Sequence, residues 1–493
     1  MAGGTGGKRR LAKADAPPPE SGALYADRVR VYPRAVHGWD RRVKWAILCA
    51  CLVIYYAVPW LRWDRGPGRP DQAVLLDIAN ERFFFFNLEF WPQDVFYLAG
   101  LLVLGAVALF LVTSLFGRLW CGYACPQTVW TDLYMTVERW IEGDRNERMR
   151  RDQRRFAWNA QGWDKAWRKS VKHAIWLGIA FWTGGAWIMY YADAPSTVVE
   201  FWTGVAPLPV YIYTFLFTGT TYVLAGWARE QVCTYMCPWP RFQSAMLDEQ
   251  TITVTYQAWR GEPRGHHVKQ DNVAGGKLGD CIDCMACVHA CPTGIDIRDG
   301  IQLECINCGL CVDACNEVMT KLERPKWLIT WDTLARQNAR KAGRVERLHL
   351  LRPRTFVYLG VLVVAVAAII VALALRTHTA IAVAHDRMPL FVRMTDGGIR
   401  NGYAVDIANK TGAPADYALR LDGPAGLRAW RNESEEAPAT TLRLHVEADR
   451  IGQFRIQVAA PGEAVHGSHK LEFHLRNLTN GETVEYETVF VGP

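Results

Sequence analysis

The last third of the chain contains no cysteine: all 14 lie at or before position 315, which excludes disulfide stapling from everything beyond it. The first 30 residues contain no apolar run. They are rich in Gly, Lys, Arg, Ala and Pro, including Pro17-Pro18-Pro19, so they read as a disordered cytoplasmic tail and not as a cleaved signal peptide. A nucleotide-binding fingerprint is also missing, because Gly3-Gly4-Thr5-Gly6-Gly7 precedes no strand pattern and Gly275-Gly276 falls in a loop. No two histidines stand at haem-ligating spacing. What the chain does have is 493 residues, room for about three domains, with 50% hydrophobic residues and 21 Trp. That composition suits membrane spans alternating with soluble parts.

The cysteines carry the strongest chemical signal. Cys281-Ile-Asp-Cys284-Met-Ala-Cys287-Val-His-Ala-Cys291-Pro292 is followed by Cys305-Ile-Asn-Cys308-Gly-Leu-Cys311-Val-Asp-Ala-Cys315-Asn316. Each half is the C-x2-C-x2-C-x3-C run of a two-cluster bacterial ferredoxin, in which the fourth cysteine of each run serves the other cluster. This assigns Cys281, Cys284, Cys287 and Cys315 to one [4Fe-4S] cluster, and Cys305, Cys308, Cys311 and Cys291 to the second. Structural zinc sites use two separated pairs and do not fit. Asn316 departs from the pattern, standing where proline is expected.

A second motif is duplicated. Cys121-Gly-Tyr123-Ala-Cys125-Pro126 and Cys233-Thr-Tyr235-Met-Cys237-Pro238 each follow an apolar segment, as a parallel internal repeat about an axis normal to the membrane would place them. Four thiols then converge near that axis. Within a pair, i and i+4 share a helix face, whereas the following proline favours a turn feeding a new helix at Pro126 and Pro238; both geometries let two sulfurs share a metal. A cytoplasm-facing thiol cluster reads as a metal or redox site, because soft thiolates select Cu(I), zinc or iron-sulfur species. Met236 has only a weak claim as a ligand. Cys49 and Cys51 read as packing residues, with a copper contact as a minor alternative, and His173 as an interfacial histidine that could otherwise meet haem or a quinone.

Five apolar segments approach the roughly 20 residues that cross a bilayer: about Val43 to Trp60, Asp94 to Phe116, Val171 to Tyr191, Val205 to Trp227 and Thr355 to Leu375. Basic residues crowd the tail, the stretch Arg139 to Lys172 and the flank Arg340 to Arg354, but residues 192–204 hold no Lys or Arg. By the positive-inside rule the N-terminus and the ferredoxin stretch are cytoplasmic, and an odd number of spans puts the C-terminal part outside. The loop with Arg62, Arg65, Arg69 and Arg82, Phe83 to Phe86 and Trp91 is expected along the outer interface.

The C-terminal part alternates apolar and polar residues, as in Tyr403-Ala-Val-Asp-Ile-Ala, Leu442-Arg-Leu-His-Val and Phe454-Arg-Ile-Gln-Val, with turns at Asn409-Lys-Thr-Gly and Asn480-Gly481. An all-β sandwich follows. It holds no catalytic cluster, so partner docking is its expected role; His378, His385 and Met388 could meet a metal but read better as a juxtamembrane linker. The expected domains are a tail at 1–30, a four-span membrane core at 31–240, a ferredoxin-like domain at 241–350, a fifth transmembrane helix at 351–378 and a β-sandwich at 379–493.

This order of parts resembles the FixG/RdxA/CcoG family of cytochrome c oxidase accessory proteins. The likeness extends through Tyr32-Pro-Arg-Ala-Val-His-Gly, Trp60-Leu-Arg-Trp-Asp-Arg-Gly-Pro-Gly, Trp120-Cys-Gly-Tyr-Ala-Cys-Pro-Gln-Thr-Val-Trp and Cys233-Thr-Tyr-Met-Cys-Pro-Trp-Pro-Arg-Phe-Gln. The resemblance implies a multi-pass inner-membrane protein with two [4Fe-4S] clusters on the eight cysteines named above and an immunoglobulin-like periplasmic domain. It also implies work with the assembly machinery of a cbb-type oxidase or a copper chaperone, and an oxidoreductase activity reducing Cu(II) to Cu(I), with Cys121, Cys125, Cys233 and Cys237 as the matching membrane-proximal thiols. Two other readings stay open: a quinol-linked membrane polyferredoxin fed by a cytoplasmic or quinol donor, and a redox-sensing assembly scaffold. Nothing points to nucleic acid.

Overall fold

The computed structural model describes residues 30–66, 68–265, 278–432, 437–462 and 465–493; the expected tail, apart from Arg30, lies outside the described residues. The chain divides into two compact units with a sequence boundary between Val366 and Ala367. In the first unit the long apolar runs form helices. Among the described residues four are long and apolar enough to cross a membrane: Trp39–Trp60, Val95–Phe116, Leu208–Ala228 and Pro353–Ala374, the last running across the unit boundary. A 22-residue helix rises about 33 Å, enough for a hydrocarbon core of about 30 Å.

The segment Val171 to Tyr191 is not among the four. It forms most of a 29-residue helix, Ala160–Ile188, whose apolar character is diluted by Lys172, His173, Thr183 and several glycines. Its packing is close all the same: a Cβ at Gly184 would lie 2.6 Å from the Thr214 carbonyl oxygen on the helix Leu208–Thr221. Only a glycine lets the two backbones approach so nearly.

Buried ion pairs tie these helices together at one end. Asp132, on the helix Pro126–Glu142, receives Arg41 Nη1 at 2.9 and 2.7 Å, with Lys44 and Arg139 each at 3.6 Å. Glu138, two turns on, meets Arg148 and Arg229 at 3.0 Å and Lys172 at 3.5 Å. Burial would raise the Glu138 carboxyl, but Arg229, Lys172, Arg148 and Arg30 hold it down at about 2, against an ordinary 4.5.

The loop with the four arginines is more ordered than its composition suggests. It folds into a three-stranded antiparallel sheet, Val74–Asp77, Arg82–Phe85 and Leu88–Phe90, and Arg65 donates to the carbonyls of Pro70, Gln72, Ala73 and Phe86.

Strands Thr253–Tyr256 and Ile329–Asp332 pair antiparallel and close the neck of the cysteine-rich segment. That segment is bolted to the first membrane helix. Asp313, from the second cysteine run, accepts from the backbone N–H of Asp40 (3.4 Å) and Arg41 (2.8 Å), capping the helix from a distance because Gly38, at its N-cap, has no side chain to do so.

The second unit is built from two antiparallel sheets. One has the order Arg428–Arg431, Arg450–Ala460, Ile399–Asn409 and Thr379–His385, with Val392–Arg393 also paired to Ile399–Asn409. The other runs Thr441–Val446, Ala415–Asp422, Ser468–Asn477, Thr483–Val491. Alternate residues of both sheets supply one core, including Tyr403, Val405, Tyr417, Leu419, Ile456, Phe473 and Phe490; each such side chain contributes about 1.5–3 kcal/mol on burial. His385 belongs to this unit, its Nε2 2.7 Å from Asn401 Oδ1, and Met388 is exposed. His378 is held through its backbone N–H, which donates to Glu482.

Candidate iron-sulfur and thiol site

The two cysteine runs fold alike. In each, the residues flanking the second cysteine take positive φ: Asp283 (54°) and Met285 (60°) in the first, Asn307 (52°) and Gly309 (72°) in the second. These reversals wrap the chain around the space between the cysteines, and a short helix follows, Ala286–Ala290 or Leu310–Lys321. Gly309 has a further reason to lack a side chain, since a Cβ there would lie 2.6 Å from Asp40 Cγ. Asn316 sits inside the helix Leu310–Lys321, where proline would break it. Its Oδ1 also accepts from Trp327 N–H at 2.8 Å.

The fold brings the eight thiols into two groups. Cys287 and Cys315 each feel Cys284, and Cys315 also feels Cys281. Cys305, Cys308 and Cys311 each feel Cys291. The second group of four lines one small cavity, which Cys287 of the first group also reaches and which Val254, Thr293, Ile295, Ile297, Ile306 and Gly309 complete. Burial pushes the thiols of Cys287, Cys305 and Cys315 up to about 12.

Among the described residues no three His, Cys, Asp or Glu side chains are grouped closely enough to hold one metal ion. Four thiols around an apolar hollow suit a polynuclear iron-sulfur group, whose cubes are held by four cysteine thiolates.

The paired cysteines lie directly against the second run. Cys121 is on the short helix Leu119–Tyr123, and Cys125 takes an extended backbone before the helix that starts at Pro126. Cys233 is on a π-helical turn, Val232–Met236, and Cys237 is again extended before the helix Trp239–Met246. The turn geometry prevails over one continuous helix in both copies. The π-helical stretches Tyr222–Ala228 and Val232–Met236 were not legible, and such turns are frequent at functional sites.

Cys233 feels Cys125, Cys121 and Cys237, so the four thiols occupy one neighbourhood, with Arg118 beside them. Burial first, and then the neighbouring thiols, push Cys233 up to about 12 and also raise Cys121, against the pull of Arg118. Cys121 Sγ donates to Gln243 Oε1 at 3.2 Å.

Cys121 packs in one buried cluster with Ile306, Cys308 and Leu310. Gly122 makes this possible, because a Cβ there would fall 2.5 Å from the Ile306 carbonyl oxygen and 2.9 Å from that of Asn307. Tyr123 Oη donates to the Cys308 carbonyl at 3.2 Å, and Asn307 Nδ2 to the Phe116 carbonyl at 3.3 Å.

Other singled-out residues lie elsewhere. Cys49 is exposed and Cys51 half-buried, so Cys49 is not the packing residue its apolar setting implies; it is on the outward side of the first membrane helix. His173 Nδ1 is 2.9 Å from Tyr222 Oη, and its ring stacks on Trp227. Met236 is exposed. Asp40, Asp313, Gln243 and Arg118 were missed; a carboxylate inside the second cysteine run was the available sign for Asp313.

Three family models match the chain: a "4Fe-4S dicluster domain" at residues 228–334, a "4Fe-4S binding domain" at 98–143, and an "IG-like fold at C-terminal of FixG" at 369–493. Among curated proteins, Protein RdxB of Cereibacter sphaeroides is 46% identical, covering 97% of this chain and 99% of its own. The nitrogen fixation protein FixG of Rhizobium meliloti is 46% identical, covering 89% and 88%. Protein RdxA of Cereibacter sphaeroides is 47% identical, covering 89% and 91%.

Proposed function

This chain belongs to the FixG/RdxA family of iron-sulfur electron-transfer proteins, and from that premise we propose that it reduces Cu(II) to Cu(I) at the four thiols Cys121, Cys125, Cys233 and Cys237. In this reading Cys281, Cys284, Cys287 and Cys315 hold one [4Fe-4S] cluster and Cys305, Cys308, Cys311 and Cys291 the other. When bound, such clusters supply single electrons. The observation that carries the reading is the packing of Cys121 against Ile306 and Cys308, which puts the thiol neighbourhood at the wall of the second cysteine group.

The chain's own residues do the rest. Thiolates are soft ligands that stabilise Cu(I) over Cu(II), so the acceptor half-reaction, Cu(II) plus one electron giving Cu(I), is favoured where two of these neighbouring thiols share the ion, no three being grouped closely enough among the described residues. Gln243, hydrogen-bonded to Cys121 and to Thr113, orients one sulfur. Arg118 offsets part of the negative charge that the thiolates would bring together.

The helix Ala160–Ile188 completes five spans in this proposal, leaving the N-terminus and cysteine-rich segment in the cytoplasm of a bacterial inner membrane and the Ig-like unit in the periplasm. The reduced copper then serves assembly of a cbb-type cytochrome c oxidase. The domain limits proposed remain 31–240, 241–350, 351–378 and 379–493.

A second reading has an observation of its own: the match at 98–143 is to a 4Fe-4S binding domain and contains Cys121 and Cys125. There the four thiols hold an iron-sulfur group and copper is not the substrate. Replacing all four with Ser decides the matter. On the copper reading the purified variant keeps the visible spectrum and iron content of wild type but loses cupric reduction; undiminished reduction would sink it, and loss of iron would favour the second reading.

A further inference from the structure

A cavity of about 830 Å³ lies outside the thiol site, walled by the helices Trp39–Trp60 and Val95–Phe116 through Val43, Ile47, Gly105 and Leu109. Its volume falls within the roughly 300–1,000 Å³ of small-ligand sites. Two of its walls are helices long and apolar enough to cross a membrane, and Leu119, Trp120, Tyr123, Ile252 and Trp331 close the rest, so an apolar ligand can reach it from the lipid phase. The lining is apolar except at one end, where Asp40, Tyr123 and Trp331 meet.

Asp40 is only 8% exposed. Its Oδ1 accepts from Trp331 Nε1–H at 2.9 Å and shares the one Tyr123 hydroxyl hydrogen, at 3.4 Å, with the nearer Cys308 carbonyl at 3.2 Å. Both of these donors reach Oδ1, and Asp40 lines the cavity. A carboxylate open to an apolar hollow gains from a further donor, so this end of the cavity suits a ligand that brings a hydroxyl or N–H.

Charge narrows the choice further. Asp313 stands beside Asp40, its oxygens on the Asp40 and Arg41 N–H groups, and two carboxylates repel a phosphate or carboxylate headgroup. The indoles of Trp39, Trp120 and Trp331 offer aromatic faces. A neutral aromatic ring that donates hydroxyls and trails an apolar chain satisfies all of these features.

We propose that this cavity binds an isoprenoid hydroquinone, with one ring hydroxyl donating to Asp40 and the tail lying between the two membrane helices. The ring would then sit against the second cysteine run: Gly309, between Cys308 and Cys311, touches Asp40 closely enough to exclude any Cβ, and Tyr123 bridges Asp40 and the Cys308 carbonyl. Its purpose as an electron partner rests on the electron-transfer reading above, whereas the binding itself does not.

The test uses the full-length protein in detergent, titrated with decylubiquinol and decylubiquinone and followed by quenching of tryptophan fluorescence. Wild type is expected to bind decylubiquinol saturably and more tightly than the oxidised form, which has no hydroxyl to donate. Gly105→Leu fills open space, since a Cβ there meets nothing within 4 Å, and is expected to weaken binding roughly tenfold or more. Asp40→Asn is expected to erase most of the preference for the reduced form, a loss of roughly tenfold. Unchanged iron content shows that each variant is folded; should one fail that check, the other decides. Non-saturable quenching, equal affinity in wild type and Gly105→Leu, or displacement of decylubiquinol by equimolar dodecane would overturn the proposal, the last marking a lipid-tail groove. None of these readouts involves copper, so a failure here leaves the reductase reading standing.

Discussion

Gly122→Ala is the smallest change that should separate the paired thiols from the second cysteine run. The new methyl would lie 2.5 Å from the Ile306 carbonyl oxygen and 2.9 Å from that of Asn307, where ordinary contact needs about 3.5 Å. Both obstacles are backbone, in a loop whose reversed residues Asn307 and Gly309 leave it little freedom. The helix Leu119–Tyr123 must therefore retreat by about 1 Å. Such overpacking costs about 1–3 kcal/mol, and alanine's advantage over glycine in a helix returns about 1 kcal/mol of it. Net destabilisation of about 0–2 kcal/mol is expected, with the clusters retained. The larger effect falls on function, because a 1 Å misplacement at a reacting centre can cost up to about a hundredfold. Thermal unfolding in detergent gives the first quantity, and Cu(I) trapped by a colorimetric chelator gives the second. Gly178→Ala is the control: a Cβ there meets nothing within 4 Å, so stability should hold or rise and reduction should not change. A Gly122→Ala protein as stable and as fast as wild type would refute the close-approach argument.

Two further outcomes follow from the packing. Glu138 has its carboxyl held near 2, below its ordinary 4.5, so its stabilising ionisation is complete above pH 4.5 and is lost as pH falls towards 2; wild type should lose unfolding temperature across that window more steeply than Glu138→Gln. Glu138→Ala, which leaves Arg148 and Arg229 buried without their shared carboxylate, should cost about 3–5 kcal/mol. Asn316→Pro restores the residue expected after a fourth ferredoxin cysteine, yet it should break the helix Leu310–Lys321 at a cost of about 3 kcal/mol or more. Iron content per chain should fall, starting with the group that includes Cys315.

The parts of the fold written in regular patterns were legible. Apolar runs marked four helices to within a few residues, alternation marked the strands of the C-terminal unit, and the cysteine spacing marked two matching loops. The third apolar segment was harder, because Val171 to Tyr191 mixes leucine-like residues with Gly, Trp, Thr, Lys and His, and helix packing in the protein favours those small residues as much as lipid favours apolar ones. The sheet between Val74 and Phe90 was hidden because its strands are only three or four residues long, and the Arg65 bonds to the carbonyls of Pro70, Gln72, Ala73 and Phe86 beside it follow no sequence pattern. At the site, the cysteines were visible but their supports were not. Gly122, Gly309 and Asp313 matter through residues hundreds of positions away or on another element, and a spacing rule cannot report that.

The most direct test of the copper assignment is metal analysis with EPR on anaerobically purified protein, wild type and the variant lacking Cys121, Cys125, Cys233 and Cys237, each reduced and then given one equivalent of Cu(II). With copper as substrate at these thiols, wild type should lose the Cu(II) signal, retain Cu(I) and show reoxidised clusters, while the variant keeps its iron and leaves the Cu(II) signal standing. Equal loss of the Cu(II) signal in both proteins would contradict it.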